Sequence, residues 1–355
     1  MTTQTVTSSQ SSANPSSVQG RPDRAQLWMA AIKPPMYAVA VMPICVGSAA
    51  AYVQTGAFHL PTFATFAFSA ILILVWENLT NDVFDADTGI DRNKHHSLVN
   101  LTRNRSLIFA LANVALLAGI LGVAGITLHQ KDTTVLILVL SCCALGYLYQ
   151  GPPFRLGYKG LGEILCFLSF GPLAVGAAYY SQIKSAQIQL AQIASVTEPA
   201  AHWQIWSWQA WHESLWNAQV WNWHSPLLPA ATLVGITTTL VLFCSHFHQV
   251  EDDLKAGKRS PIVRLGTQKG AQVLTAACLL TGFIWLAARI QGGFPPATLI
   301  MLASAPAALK LCRHVLRFHA EPAQVSNSKF LAIHFHVWSG LLLVSSLLIS
   351  AQFSK

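Results

Sequence analysis

The chain has 355 residues, 53% of them hydrophobic and only 10% charged, with a formal net charge of +8. With a mean hydropathy of +0.44, that balance excludes an ordinary soluble domain and indicates a polytopic membrane protein. A disulfide scaffold or zinc-ribbon module is excluded too, because the seven cysteines lie in or beside apolar runs without C-x-x-C spacing and read as small packing residues.

Residues 1–24 are rich in Ser, Thr and Gln and read as a disordered tail, leaving 25–355 as one transmembrane domain. Nine stretches of that domain reach or approach the roughly 20 apolar residues needed to cross the hydrocarbon core. They are 34–53, 60–80, 106–128, 133–150, 160–181, 226–247, 270–290, 295–312 and 330–352, the fourth and eighth being shortest. The expected fold class is all-α, with about nine transmembrane helices around a central cavity. With the N-terminus in the cytoplasm, 18 of the 22 Lys and Arg residues fall on the inner side, as the positive-inside bias requires. This topology, together with phosphate binding, accounts for the net charge, and no nucleic-acid motif is present.

The second span closes on Asn78, Asp82 and Asp85, followed by Asp87 and Asp91. Spacings of four and three put Asn78, Asp82 and Asp85 on one face of a continuing helix. Oxygen ligands of this kind suit Mg²⁺ bridging to a diphosphate, and carboxylates at a membrane edge require a cationic partner. Asp87 and Asp91 are expected past the helix end, in a loop with Gly89, holding a second ion or ordering the loop.

In the loop before the fifth span, Tyr147, Tyr149, Arg155, Tyr158 and Glu163 bring aromatic rings and a carboxylate to the same face. Tyrosine rings can stabilise an allylic cation through their π faces. Between the fifth and sixth spans, residues 182–225 carry seven of the 11 tryptophans. A helix lying in the outer interface is the expected structure there, with a quinone or lipid site and a disordered loop as alternatives.

The sixth span closes on His246, His248, Gln249, Glu251, Asp252 and Asp253. Gln249 and Asp253 share a helical face, and the amide offers an oxygen without charge. A zinc site on His246 and His248 lacks a third ligand, so His246 is read as a hydrogen-bond donor to substrate. Lys33, Arg92, Lys94, Arg103, Arg105, Lys258 and Arg259 supply positive charge for a departing diphosphate. Each acidic cluster is followed by glycine and basic residues, four spans apart, which suggests a duplicated four-helix unit enclosing one chamber.

The stretches Asn78 to Asp91, Tyr147 to Glu163 and Asp253 to Gly266, with Lys33-Pro34 and Pro43 near the start, resemble the intramembrane UbiA-type aromatic prenyltransferases. The similarity is greatest to the branch that prenylates 1,4-dihydroxy-2-naphthoate, and it spans roughly 25–350 apart from the tryptophan segment. Gln249 departs from the family's usual D-x-x-x-D. The string His246 to Asp253 is similar to cyanobacterial and plastid members that attach phytyl, with Glu251 or Asp252 as substitute ligands. The resemblance implies a Mg²⁺-dependent enzyme of an inner or thylakoid membrane, with membrane lipid around it. Asn78, Asp82, Asp85, Asp91, Gln249 and Asp253 would hold metal, and Lys258 and Tyr158 would join the catalytic group. Lys33, Arg92, Lys94, Tyr147, Tyr149, Arg155, His246 and Arg259 would contact a prenyl diphosphate or the naphthoate. Homogentisate phytyltransferase and chlorophyll synthase are sister readings; a secondary transporter is the rival from another class.

Overall fold

The computed structural model describes residues 27–29, 33–89, 97–193 and 221–353, and every regular element among them is helical. Nine apolar helices correspond to the nine spans: α1 (Tyr37–Thr55), α2 (Leu60–Thr88), α3 (Arg105–Gln130), α4 (Thr134–Gln150), α5 (Gly162–Gln192), α6 (Leu227–Ser245), α7 (Thr267–Ile290), α8 (Pro296–Phe318) and α9 (Ser328–Phe353). All except α4, with 17 residues, belong to segments long and apolar enough to cross a bilayer by themselves. The eighth span gains reach because its first part, Pro296–Ser304, is a 3₁₀ helix, which rises about 2.0 Å per residue instead of 1.5 Å.

Three boundaries depart from the sequence reading. Helix α2 runs 29 residues to Thr88, about 43 Å at 1.5 Å per residue, so it continues beyond the hydrocarbon and carries Asp87 inside the helix, not in a loop. Gly89 stops it at φ 74, its N–H reaching the Asp85 and Ala86 carbonyls. Helix α6 instead ends early, at Ser245, and a turn separates it from the short helix Val250–Lys255. The second acidic cluster therefore does not continue α6.

Helix α5 extends well past 181, so residues 182–192 belong to it and not to the tryptophan segment. Its polar face explains the extension. Gln182 exchanges two hydrogen bonds with the backbone of His59, Gln130 Nε2 donates to the Ser181 carbonyl and to Ser185 Oγ, and Ser185 meets Thr62 at 2.8 Å. These side chains thus form a hydrogen-bonded clasp at the bundle end away from the acidic clusters. Of the tryptophan segment, 194–220 lie outside the described residues. Trp221 donates to the Tyr180 hydroxyl at 3.2 Å, and its ring covers Gly176.

Small residues let the helices come together. A Cβ on Gly47 of α1 would lie 2.3 Å from the Val175 carbonyl oxygen of α5, and one on Gly171 of α5 would lie 2.8 Å from that of Ala231 of α6. Such close backbone approach is what small interfacial residues permit in membrane helices. At Ser169–Leu173 helix α5 widens into a π turn around Pro172, which lacks the N–H that would close a regular turn.

Candidate active site

An apolar cavity of about 260 Å³ lies among α1, α2, α4, α5 and α6, with Phe66, Ile73, Trp76, Leu165, Phe170 and Val241 in its walls. Its polar lining gathers Lys33, Glu77, Asn78, Asn81, Tyr149, Ser245 and Lys329. The cavity is therefore amphipathic in the sense required by a long apolar chain with a charged head.

The first acidic group follows from the length of α2. Asp82 is only 2% exposed; Oδ2 accepts from the Leu98 N–H at 2.9 Å, and Lys33 Nζ stands 3.8 Å from Oδ1. Lys33 holds this place in a left-handed backbone conformation, φ 53, just before the turn into α1. Asp85 accepts from Gln150 Nε2 and, at 3.2 Å, from the Tyr158 hydroxyl. Asp87 is taken by Arg105 in a two-pronged pair at 2.8 and 2.6 Å, which orders the helix end.

The second acidic group is built on the short helix after α6. Asp253 is fully buried, with Lys258 Nζ 3.3 Å from one oxygen and His246 Nδ1 3.5 Å from the other. The other face of the His246 ring meets Glu163 at 3.4 Å. Burial alone would push the Asp253 carboxyl up, but the His246 ring and the Lys258 ammonium outweigh it and hold the group below its ordinary value.

The segment between α4 and α5 ties the two groups together. Tyr158 donates to Asp85, its carbonyl accepts from the Arg259 N–H at 2.8 Å, and Lys258 lies 5.9 Å from its ring centre. Burial, and then the Asp85 charge, push the Tyr158 hydroxyl well above its ordinary value, so it stays an O–H donor. These contacts form an acid–base path in two parts, Asp82–Lys33, whose lysine also lines the cavity, and Asp85–Tyr158–Lys258–Asp253.

Against this geometry, the model of the UbiA prenyltransferase family matches residues 40–340. The 2-carboxy-1,4-naphthoquinone phytyltransferase of Synechocystis is 49% identical over 91% of this chain and 94% of its own length. The chloroplastic enzyme of the same name from Arabidopsis thaliana is 37% identical over 92% of this chain and 78% of its own. The chain belongs to the UbiA prenyltransferase family. A UbiA homologue from Archaeoglobus fulgidus, 12% identical, shares the fold with a TM-score of 0.54 over 90% of this chain and 99% of that one. The protein is thus an integral, multi-pass membrane prenyltransferase.

Placed in this UbiA scaffold, the expected residues separate into four sets. Asn78, Lys33 and Tyr149 line the cavity, Tyr149 packed against Gly157 and Gly162. Asp82, Asp85, Tyr158, Asp253 and Lys258 form the acid–base path. Other expected residues have different surroundings. The Tyr147 hydroxyl turns to the Pro152 carbonyl at 2.7 Å on the exposed side, so it does not face the cavity. His246 bridges two carboxylates and is absent from the cavity wall. The Tyr158 ring has Lys258 at 5.9 Å and Arg155 at 6.0 Å from its centre, two positive charges that compete with an allylic cation for it. Arg259 contributes its backbone while its side chain is exposed. Gln249 caps the short helix, its carbonyl accepting from Asp253 N–H at 2.8 Å. Asp91, Arg92 and Lys94 lie outside the described residues.

The donor set fits a hard divalent cation in chemistry: carboxylate and amide oxygens, with both Asp253 oxygens buried beside the His246 ring and the Lys258 ammonium. Among the described residues, no three His, Cys, Asp or Glu side chains converge on one point. Glu77 and Asn81 were missed as cavity residues. Their signal is the helical spacing itself, since Glu77 and Asn81 are four apart on the strip beside Asn78.

Proposed function

We propose that the enzyme transfers a phytyl group from phytyl diphosphate to 1,4-dihydroxy-2-naphthoate, the reduced form of 2-carboxy-1,4-naphthoquinone, with loss of CO₂. The observation that carries this reading is an apolar cavity lined in part by Lys33 of the acid–base path, in a chain so similar to two phytyltransferases. The active site is assigned to the cytoplasmic face, on the distribution of Lys and Arg.

Asn78, Asp82, Asp85, Asp253 and Gln249, with Asp91, would hold Mg²⁺, which supplies charge neutralisation to the diphosphate. Lys33 and Lys258 then lie beside those carboxylates, where their charges stabilise the departing diphosphate. The allylic C–O bond breaks with its electron pair going to the diphosphate. The electron-rich ring attacks the cation, and the C–C pair of the acceptor carboxylate returns to the ring as CO₂ leaves. The step is redox-neutral, giving the demethyl naphthoquinol. Trp76, Tyr149 and Phe170 offer aromatic surface to cation and ring, and Glu77 can accept a hydrogen bond from an acceptor hydroxyl.

Purified protein with Mg²⁺, a panel of prenyl diphosphates and a panel of aromatic acceptors, read anaerobically by mass spectrometry, tests the assignment. One CO₂ and one diphosphate should appear per phytylated naphthoquinol, and saturated phytanyl diphosphate should not react. Turnover of phytanyl diphosphate overturns the cation step. Failure of the naphthoate with turnover of homogentisate or chlorophyllide overturns the acceptor.

A further inference from the structure

A second apolar cavity, also about 260 Å³, lies among α6, α7, α8 and α9 and shares no lining residue with the first. The two are divided by α6: Thr237 faces one and its neighbour Thr238 the other. The second cavity is walled by Trp285, Phe335, Met301 and Leu343 and has no Asp, Glu, Lys or Arg in its lining. It meets the lipid side between α7 and α8, where Leu279, Leu302 and Leu309 are exposed.

The hydroxyls in this wall, Thr237, Thr281, Ser304 and Ser339, donate to backbone carbonyls, which leaves one polar side chain with an open nitrogen. His336 is 1% exposed; its Nδ1 lies 2.9 Å from Thr237 Oγ1, and its Nε2 is buried with no hydrogen-bond partner. Thr237 Oγ1 also lies 2.9 Å from the Leu233 carbonyl, to which it donates. If the Thr237 proton goes to that carbonyl, Nδ1 must carry the ring's hydrogen, and both contacts are made. The opposite tautomer makes one contact and leaves a buried N–H unsatisfied. Counting bonds therefore makes Nε2 an acceptor, and an unpaired acceptor in an apolar wall costs enough to call for a partner.

We infer that this cavity is a binding site for a neutral lipophilic hydroquinone, whose hydroxyl donates to His336 Nε2. His336 stands eight residues beyond Ser328 in the 26-residue α9, about 7 Å from the helix midpoint at 1.5 Å per residue. A charged phospholipid headgroup does not reach that depth, and the lining offers no cation for a phosphate. Trp285, Phe335 and the Met301 sulfur suit a flat aromatic ring more than an aliphatic alcohol. A quinone of the same skeleton carries only acceptors and cannot satisfy Nε2, so the site distinguishes the reduced from the oxidised form. The assignment does not depend on which acceptor the first cavity uses.

The test is equilibrium binding of radiolabelled 2-prenyl-1,4-naphthohydroquinone to nanodisc-embedded protein under anaerobic conditions, beside its quinone. Beyond whatever the first cavity binds, the unaltered protein should hold one hydroquinone that is released when the ligand is oxidised. His336→Phe should weaken the second site at least tenfold. Gly282→Leu should abolish it by filling the cavity, since a Cβ there meets nothing within 4 Å. Both variants should keep the initial rate of prenyl transfer. Absence of a redox-sensitive hydroquinone site in the unaltered protein, equal binding of quinone and hydroquinone, or displacement of that ligand by phytol alone would each overturn the assignment. These readouts on the unaltered chain decide the matter even if a variant fails to fold.

Discussion

Asp82 and Asp253 are both buried carboxylates beside a lysine, yet their settings make opposite demands. Asp82 also accepts a backbone N–H, so removing it takes away that N–H's acceptor and strips charge from the strip proposed to hold metal. Asp82→Ala should lower kcat by 10³-fold or more, in the range seen when electrostatic stabilisation of a leaving group is lost; a rate within tenfold of the unaltered enzyme would reject the assignment. For Asp253 the consequence is also thermodynamic. Its folded carboxyl lies below its ordinary value, so its contribution is present above the unfolded pKa, about 3.9, and fades as pH falls through the lower folded one. Asp253→Asn should destabilise the fold by about 3 kcal/mol at pH 7, because Lys258 is left buried without its partner. The deficit should shrink below about pH 4, as the unaltered side chain also becomes neutral. Thermal unfolding across pH 3 to 7 reads both statements, and a pH-independent deficit would contradict them.

At the scale of elements, the sequence marks apolar lengths well and helix ends poorly. All nine spans were legible, because a bilayer demands about 20 apolar residues and tolerates few charges within them. The end of α2 was not, because hydropathy stops where the membrane does while backbone hydrogen bonding continues to Gly89. The end of α5 was hidden for another reason: Gln182 and Ser185 look like loop residues until their partners on α2 and α3 are in view. The acidic residues were legible through their spacing, whereas the displacement of Tyr147 and the bridging place of His246 depend on turns that spacing does not determine. Helix contacts follow the small residues. Gly47→Ala puts a methyl group 2.3 Å from a backbone oxygen, and overpacking of that kind costs about 1–3 kcal/mol. The variant should melt lower while retaining the activity of its folded fraction; unchanged melting would show that α1 and α5 can separate freely.

For the whole molecule, the acid–base path and the clasp of Gln130, Ser181 and Ser185 occupy opposite ends of the bundle. On the topology proposed above, the excess of Lys and Arg puts the path on the cytoplasmic side. Single cysteines placed at exposed Lys255 and Gln291 in a background with the seven native cysteines replaced should behave oppositely. A membrane-impermeant maleimide added outside sealed right-side-out vesicles should modify position 291 and spare 255, and the reverse pattern would invert the topology.

Helix α4 is only 17 residues long, about 26 Å at the ordinary helical rise, against an average hydrocarbon thickness near 30 Å. It passes directly into the segment whose Tyr158 joins Asp85 to Lys258. The membrane itself therefore has leverage on the reaction: a thick bilayer must either thin beside α4 or draw its ends inward, and the second response pulls on that tyrosine. Reconstituted in phosphatidylcholines of increasing acyl length, the enzyme should turn over fastest in the thinner bilayers and lose rate several-fold in the thickest. Chain-length independence would mean that neighbouring helices shield α4 from the lipid altogether.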